Sequence, residues 1–164
     1  MSFGEGGDSE VDYATMRGRN WPSVTQFSVF LENRVGQLLE VLRAFHGSKV
    51  KIVGLMISDS ADCSIVRLIL SHPEQGREIL ERHKLAFADS EVLVTELPTG
   101  PACLVDLCTS LLQAEINIHY AYPLIVHPHG RPAVALHIDN NESASAALHA
   151  MGFEILCEAD LGGA

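Results

Sequence analysis

Eight histidines and four cysteines are the side chains of this 164-residue chain best suited to metal or covalent chemistry. His127-Pro128-His129 is the densest grouping, but it lies in a Pro/Gly-rich stretch before Arg131-Pro132, with no Cys, Asp or Glu at ligand spacing. Two imidazoles in a turn make a poor preformed cation site, so no metal is expected. Cys63, Cys103, Cys108 and Cys157 contain no C-x-x-C pair. Cys103 falls near a predicted helix start, where a thiolate is favoured, yet no recognisable motif arranges a His and a carboxylate around it. Ser64 and Ser71 lack a G-x-S-x-G context. Neither a P-loop nor a G-x-G-x-x-G is present. The chemistry-bearing residues therefore predict no catalytic group and no cofactor: the chain is expected not to be an enzyme. His119 and His137 are predicted on adjacent strands facing one side, as part of a solvated face or as a pH-sensitive pair.

Composition excludes other classes. Lys and Arg number 11 against 21 Asp and Glu, a formal net charge of −10. A phosphate backbone would be repelled, and the densest basic stretch is Arg17-Gly18-Arg19. No nucleic-acid partner is expected. No apolar run reaches the roughly 20 residues of a membrane helix, and the N-terminus has no apolar signal core. With 47% hydrophobic residues, the chain can bury a core without disulfides. A soluble, reduced, cytoplasmic protein without a membrane partner is the expectation.

The elements that position these residues follow from a repeat. Residues 1–22 read as a Gly-, Ser- and acid-rich leader ending at Trp21-Pro22. Beyond it, Glu32-Asn33-Arg34-Val35-Gly36-Gln37-Leu38 aligns with Pro98-Thr99-Gly100-Pro101-Ala102-Cys103-Leu104. Ser48-Lys49-Val50-Lys51-Ile52 then aligns with Ala114-Glu115-Ile116-Asn117-Ile118. The apolar positions coincide through every later element, so two similar units are predicted over residues 23–91 and 92–161. Each reads strand–helix–strand–strand–helix–strand. Phe27, Val29 and Leu31 alternate with polar neighbours; Leu38, Val41, Leu42 and Phe45 share a helical face. Pro73 suits a first helical turn, and Asp139 with Glu142 predicts a capping pair for the last long helix. The predicted class is α+β: two ferredoxin-like βαββαβ units side by side, with antiparallel sheets and helices on one face.

The loop Glu32-Asn33-Arg34-Val35-Gly36-Gln37-Leu38 resembles the D/N-x-P-G-x-L signature of ACT domains, small modules that bind amino acids and regulate metabolic enzymes. In the second unit, Pro98-Thr99-Gly100-Pro101-Ala102-Cys103-Leu104 keeps the proline and loses the glycine; the first keeps Gly36 with Val35 in the proline position. Glu115-Ile116-Asn117-Ile118 resembles the G-x-N-I start of strand 2. The resemblance covers residues 24–160 and implies a stand-alone tandem ACT protein of regulatory type.

By that resemblance the ligand is an amino acid or similar small zwitterion, held between two modules by a loop Asn and a strand-2 Asn. Asn33, Arg34, Val35, Gly36 and Asn117 then form one site. Thr99, Ala102 and Lys51 form a second, altered one. A strand-to-helix loop offers backbone N–H groups and a helix dipole to a carboxylate, and Asn supplies donors and an acceptor. The alternatives are Asn33 as a helix cap and Asn117 as a turn residue. In the first case the protein senses a metabolite; in the second the ACT pair is a docking or dimerisation module without a ligand. Strand alternation adds an expectation about assembly. Phe30, Val53, Leu55, Ile57, Ile65 and Ile69 are predicted to share the sheet face away from the helices, with Lys51 and Arg67 as its charges. That face needs a cover, either a second chain in a homodimer or the leader folded back through Trp21.

Overall fold

The computed structural model describes residues 21–163. Apart from Trp21 and Pro22, the leader lies outside the described residues. The elements run β1 (Val24–Glu32), α1 (Gln37–Phe45), β2 (Ile52–Asp59), β3 (Cys63–Leu70), α2 (Pro73–Arg82) and β4 (Phe87–Glu96). They continue with α3 (Cys103–Gln113), β5 (Ile118–Pro123), β6 (Ala133–Ile138), α4 (Asn141–Ala150), β7 (Ile155–Leu156) and α5 (Glu158–Gly162). The first eleven make two βαββαβ passes; α5 is an addition.

The two passes share one strand. β4 pairs with β1 through Phe87–Val92, then with β6 through Leu93–Glu96, while Val94 and Thr95 also pair with β7. The antiparallel order is β2-β3-β1-β4-β6-β5. Because β4 is unbroken, its alternation carries across both units. Phe87 packs into the core under α1 and α2, and Leu93, on the same face, into the core under α3 and α4. All four long helices therefore cover one face of a continuous sheet.

The other face closes on itself. Val24, Val53 and Ile69 of the first unit pack against Tyr122, Leu124, Ala133 and Ala135 of the second, forming a third core. The sheet curls until its outer strands meet: Gly54 bridges Leu124, and the Ile125 N–H donates to the Val53 carbonyl at 2.9 Å. At this seam a side chain on Gly54 would be tight: a Cβ would lie 3.1 Å from Leu124 Cδ2 and 3.2 Å from Ile69 Cβ, so these neighbours would have to give slightly. One end of the curl is plugged by α5 through fully buried Leu161. There Glu158 Oε1 accepts from the Thr25 N–H (3.1 Å) and Oγ1–H (2.6 Å).

This closure corrects the expectation about assembly. Much of the apolar face of the first unit is covered by the chain's own second unit: Val53 and Ile69 are fully buried with no other chain present, while Phe30 stays 44% exposed. Alternation failed to show this because β2 and β5 are each irregular at equivalent places, between Ile52 and Gly54 and between Ile118 and Tyr120. A bulge inverts the facing of every residue beyond it. Leu55 thus turns to the helices, while Met56 turns inward. Tyr120 and Tyr122 also turn inward, supplying apolar surface from the second unit. A smaller correction concerns α4: its cap is Asn140, whose Oδ1 accepts from the Ser143 N–H at 2.9 Å. Asp139 instead accepts from the Asn117 N–H at 3.3 Å.

Candidate functional site

The Asn33–Gly36 loop stands open at the end of β1. Asn33, Arg34, Val35 and Gly36 are all exposed, and Arg34 Nε pairs with Glu32 Oε2 at 2.7 Å on the surface. Gly36 occupies the N-cap of α1 with φ +90°, a left-handed conformation that L side chains resist, although nothing crowds the position. Glycine is there for the turn. It brings no capping side chain, so the first turn of α1 keeps donors that the helix itself cannot satisfy. Asn33 is therefore not the cap of this helix. In the second unit the left-handed residue is Gly100, two places earlier than alignment predicts, and Ala102 at the N-cap of α3 is right-handed. Thr99 and Ala102 are exposed.

The strand-2 residues lie elsewhere. Asn117 is exposed and tethered to Asp139, opposite the far end of β6. Lys51 exchanges backbone bonds with Ser71: its N–H donates to Ser71 Oγ and its carbonyl accepts from the Ser71 N–H, both at 2.9 Å. β4 and β6 lie between the strand that Asn33 follows and the strand that Asn117 precedes. With strands about 4.8 Å apart and the register offset added, Asn33 and Asn117 of one chain are on the order of 20 Å apart. Asn33 and Gly36 are brought together; Asn117 does not join them within the chain.

A polar cluster that the sequence did not assemble lies inside the curl. Gln26 of β1 is fully buried. Its Nε2 donates to Tyr120 Oη (2.7 Å) and Ser90 Oγ (3.1 Å), and its Oε1 accepts from Tyr122 Oη (2.7 Å). One side chain of the first unit thus bonds two of the second. Burial pushes the Tyr122 phenol well above its ordinary value, with a smaller contribution from Tyr120 and opposition from Arg67. Tyr120 is stacked on His137 (4.7 Å, 4° between planes), and His137 lies 5.4 Å from His119. The two histidines do lie side by side, His119 exposed and His137 partly buried. Burial first, then His119 and Arg67, push the His137 imidazole below its ordinary value. The signal in the sequence was polar Gln26 and charged Arg67 on an otherwise apolar face.

His129 also has partners that spacing concealed. Its Nδ1 lies 2.6 Å from Oε1 of buried Glu96 and 3.8 Å from Glu154 Oε1, and its Nε2 is 3.5 Å from Asp160 Oδ1. The 2.6 Å approach is short, although Glu96 Oε1 receives no aligned hydrogen bond. Glu96, His129 and Glu154 offer one atom each within 4.8 Å of one another, a grouping able to take a cation. In the structure it ties the loop before β6 onto β4. Burial, first among several influences, pushes the Cys157 thiol up, and it donates to Asp160 Oδ2 at 3.1 Å.

Among known proteins, the family model of the ACT domain pair matches residues 22–162, so the chain belongs to the ACT-domain family as a tandem pair. A crystal structure of a Bacteroides thetaiotaomicron protein superposes with TM-score 0.78 at 25% identity, covering 87% of this chain and 97% of that one. The ligand-free regulatory subunit of aspartate kinase from Thermus thermophilus superposes with TM-score 0.58 at 13% identity, covering 79% and 91%. The regulatory subunit of aspartate kinase from Thermus flavus gives 0.52 at 12%, covering 77% and 90%. The last two likenesses concern the fold. No curated protein matches the chain. No helix of the described residues is long and apolar enough to cross a membrane.

Proposed function

We propose that this chain is a non-catalytic, cytoplasmic regulatory protein that binds an amino acid at its Asn33–Gly36 loop. The supporting observation is the uncapped first turn of α1 behind an exposed Asn, a ready seat for a carboxylate. Because Asn117 is remote within the chain, the site is completed by Asn117 of a second copy, and ligand binding is coupled to dimerisation. Arg34 and Val35 flank the ligand, while Thr99, Ala102 and Lys51 form the weaker counterpart. Regulatory subunits of aspartate kinase share the fold, which supports a sensing role.

A thermal-shift screen of the twenty amino acids tests this. A ligand at about a hundred times its Kd adds about 2.7 kcal/mol and several degrees of Tm. One amino acid should raise Tm and the scattering mass together, and Asn33→Ala and Asn117→Ala should abolish both effects. No shift with any amino acid refutes the reading. A second reading, a docking or dimerisation module without a ligand, is favoured by α3. Its Leu104, Val105 and Leu112 are exposed, Leu112 by 75%. A dimer whose mass ignores every amino acid and collapses on Leu112→Glu would select it.

A further inference from the structure

Glu96 ends β4 and is only 2% exposed, and its Oε1 accepts no hydrogen bond. Among the described residues no lysine or arginine pairs with it. A buried carboxylate needs a positive charge beside it. A protonated His129 would meet that need best with its N–H aimed at Oε1. Nδ1 comes within 2.6 Å, yet the two groups are not aligned as donor and acceptor. Close approach without mutual aim is how two ligands of one ion stand. Backbone bonds hold the groups in place. The Glu96 N–H (2.9 Å) and Thr95 Oγ1–H (3.0 Å) both donate to the Glu154 carbonyl, fixing Glu154 beside Glu96. The Leu97 N–H donates to the Pro132 carbonyl (2.8 Å), tying the loop of His129 to the same strand end.

Access and donor type define the occupant. His129 and Glu154 are exposed, so an ion reaches the group from solvent without opening the core. His129 Nε2 faces Asp160 Oδ1 at 3.5 Å, and Asp160 is itself anchored by the Cys157 N–H at 2.8 Å. A carboxylate on the far nitrogen favours the proton there and leaves the Nδ1 lone pair for a metal. One imidazole with two carboxylates suits zinc or a similar transition metal, whereas magnesium and calcium ask for six or more ligands, mostly oxygens. Ligand atoms on a tetrahedral ion at about 2.1 Å stand about 3.4 Å apart. Nδ1 lies 2.6 Å from Glu96 Oε1 and 3.8 Å from Glu154 Oε1, so a ring shift of about 1 Å on an exposed turn admits the ion. We propose that Glu96, His129 and Glu154 bind one zinc-like divalent cation, with water as the fourth ligand and Asp160 orienting the imidazole. The ion clasps the loop before β6 and the start of β7 onto β4. The site lies at the opposite end of β4 from the Asn33 loop and does not rest on the amino-acid reading.

Calorimetry of the metal-free full chain with zinc chloride and magnesium chloride tests this. Zinc should fill one tight site per chain, and magnesium should bind at least about tenfold more weakly. Glu96→Gln and His129→Ala should each weaken zinc by about tenfold or more, and Asp160→Asn by about tenfold. His127→Ala, in the same loop but outside the set, should leave zinc affinity unchanged. Undiminished zinc binding in Glu96→Gln or His129→Ala overturns the proposal, as does magnesium binding as tightly as zinc. Cobalt(II) in the site should show no thiolate absorption, because no cysteine belongs to the set; a thiolate band places the metal on a cysteine and overturns it too. In the unmutated protein the His129 Nδ1 resonance should move as zinc is added, and a stationary resonance refutes the site whether or not the variants fold.

Discussion

Replacing Gln26 by Leu removes the one side chain that bonds both Tyr120 and Tyr122 across the two units. Tyr122 is 5% exposed, so water cannot replace the lost acceptor. A buried hydroxyl left unpaired costs about 1–3 kcal/mol. Tyr120, only partly buried, recovers its bond from water, and the leucine gains a little apolar burial. The net loss is about 2 kcal/mol, or roughly 6 °C in Tm for a chain of this size. Tyr122→Phe alone orphans Gln26 Oε1 and should cost about 1–2 kcal/mol. With both changes no buried partner is left unmatched, and removing both members of a bonded pair is close to neutral. The double variant should therefore be less destabilised than the sum of the two by about 1–2 kcal/mol. Urea unfolding of the four proteins, followed by far-ultraviolet circular dichroism, measures the coupling. Additivity within about 0.3 kcal/mol would refute the network. Two separate transitions would refute the packing of one unit on the other.

The Tyr122 phenol is favoured in its neutral form by the fold; that contribution is full below its ordinary value of 10.0 and is lost as pH rises above it. Phenolate absorbance should show one tyrosine ionising only with unfolding, and free ionisation near the ordinary value would contradict its burial. His137 is depressed below 6.5, so the folded state gives up stability as pH falls through the ordinary histidine range towards the folded value. His137→Phe should flatten that fall in a series of melts, and an NMR midpoint at or above the ordinary value would refute the cause. Gly76→Ala would place a Cβ 2.2 Å from Cδ1 of buried Leu70. It should cost about 1–3 kcal/mol, measured by denaturant midpoint, whereas Gly163→Ala, with nothing within 4 Å, should cost nothing measurable.

The sequence by itself determined the class, the tandem repeat and the order of elements up to β7, but not the terminal helix α5. Local period and turn chemistry specify these, although β4 passes from Val92 to Leu93 without a break, so the two units share one strand. The Asn33–Gly36 loop was legible as well, because a strand end, a glycine and a helix start are neighbours in sequence. What covers the first unit was decided only by the tertiary structure. It turns on bulges at Val53 and His119, which invert the facing of the residues after them and carry no fixed sequence mark. The same inversion brought Tyr120 and Tyr122 onto Gln26. Spacing could not place His129 beside Glu96, or Asn117 far from Asn33, because those separations depend on how many strands lie between two segments. Periodicity sets which way a side chain faces along one strand; which strands then meet depends on curling about the shared β4, a property of the whole sheet.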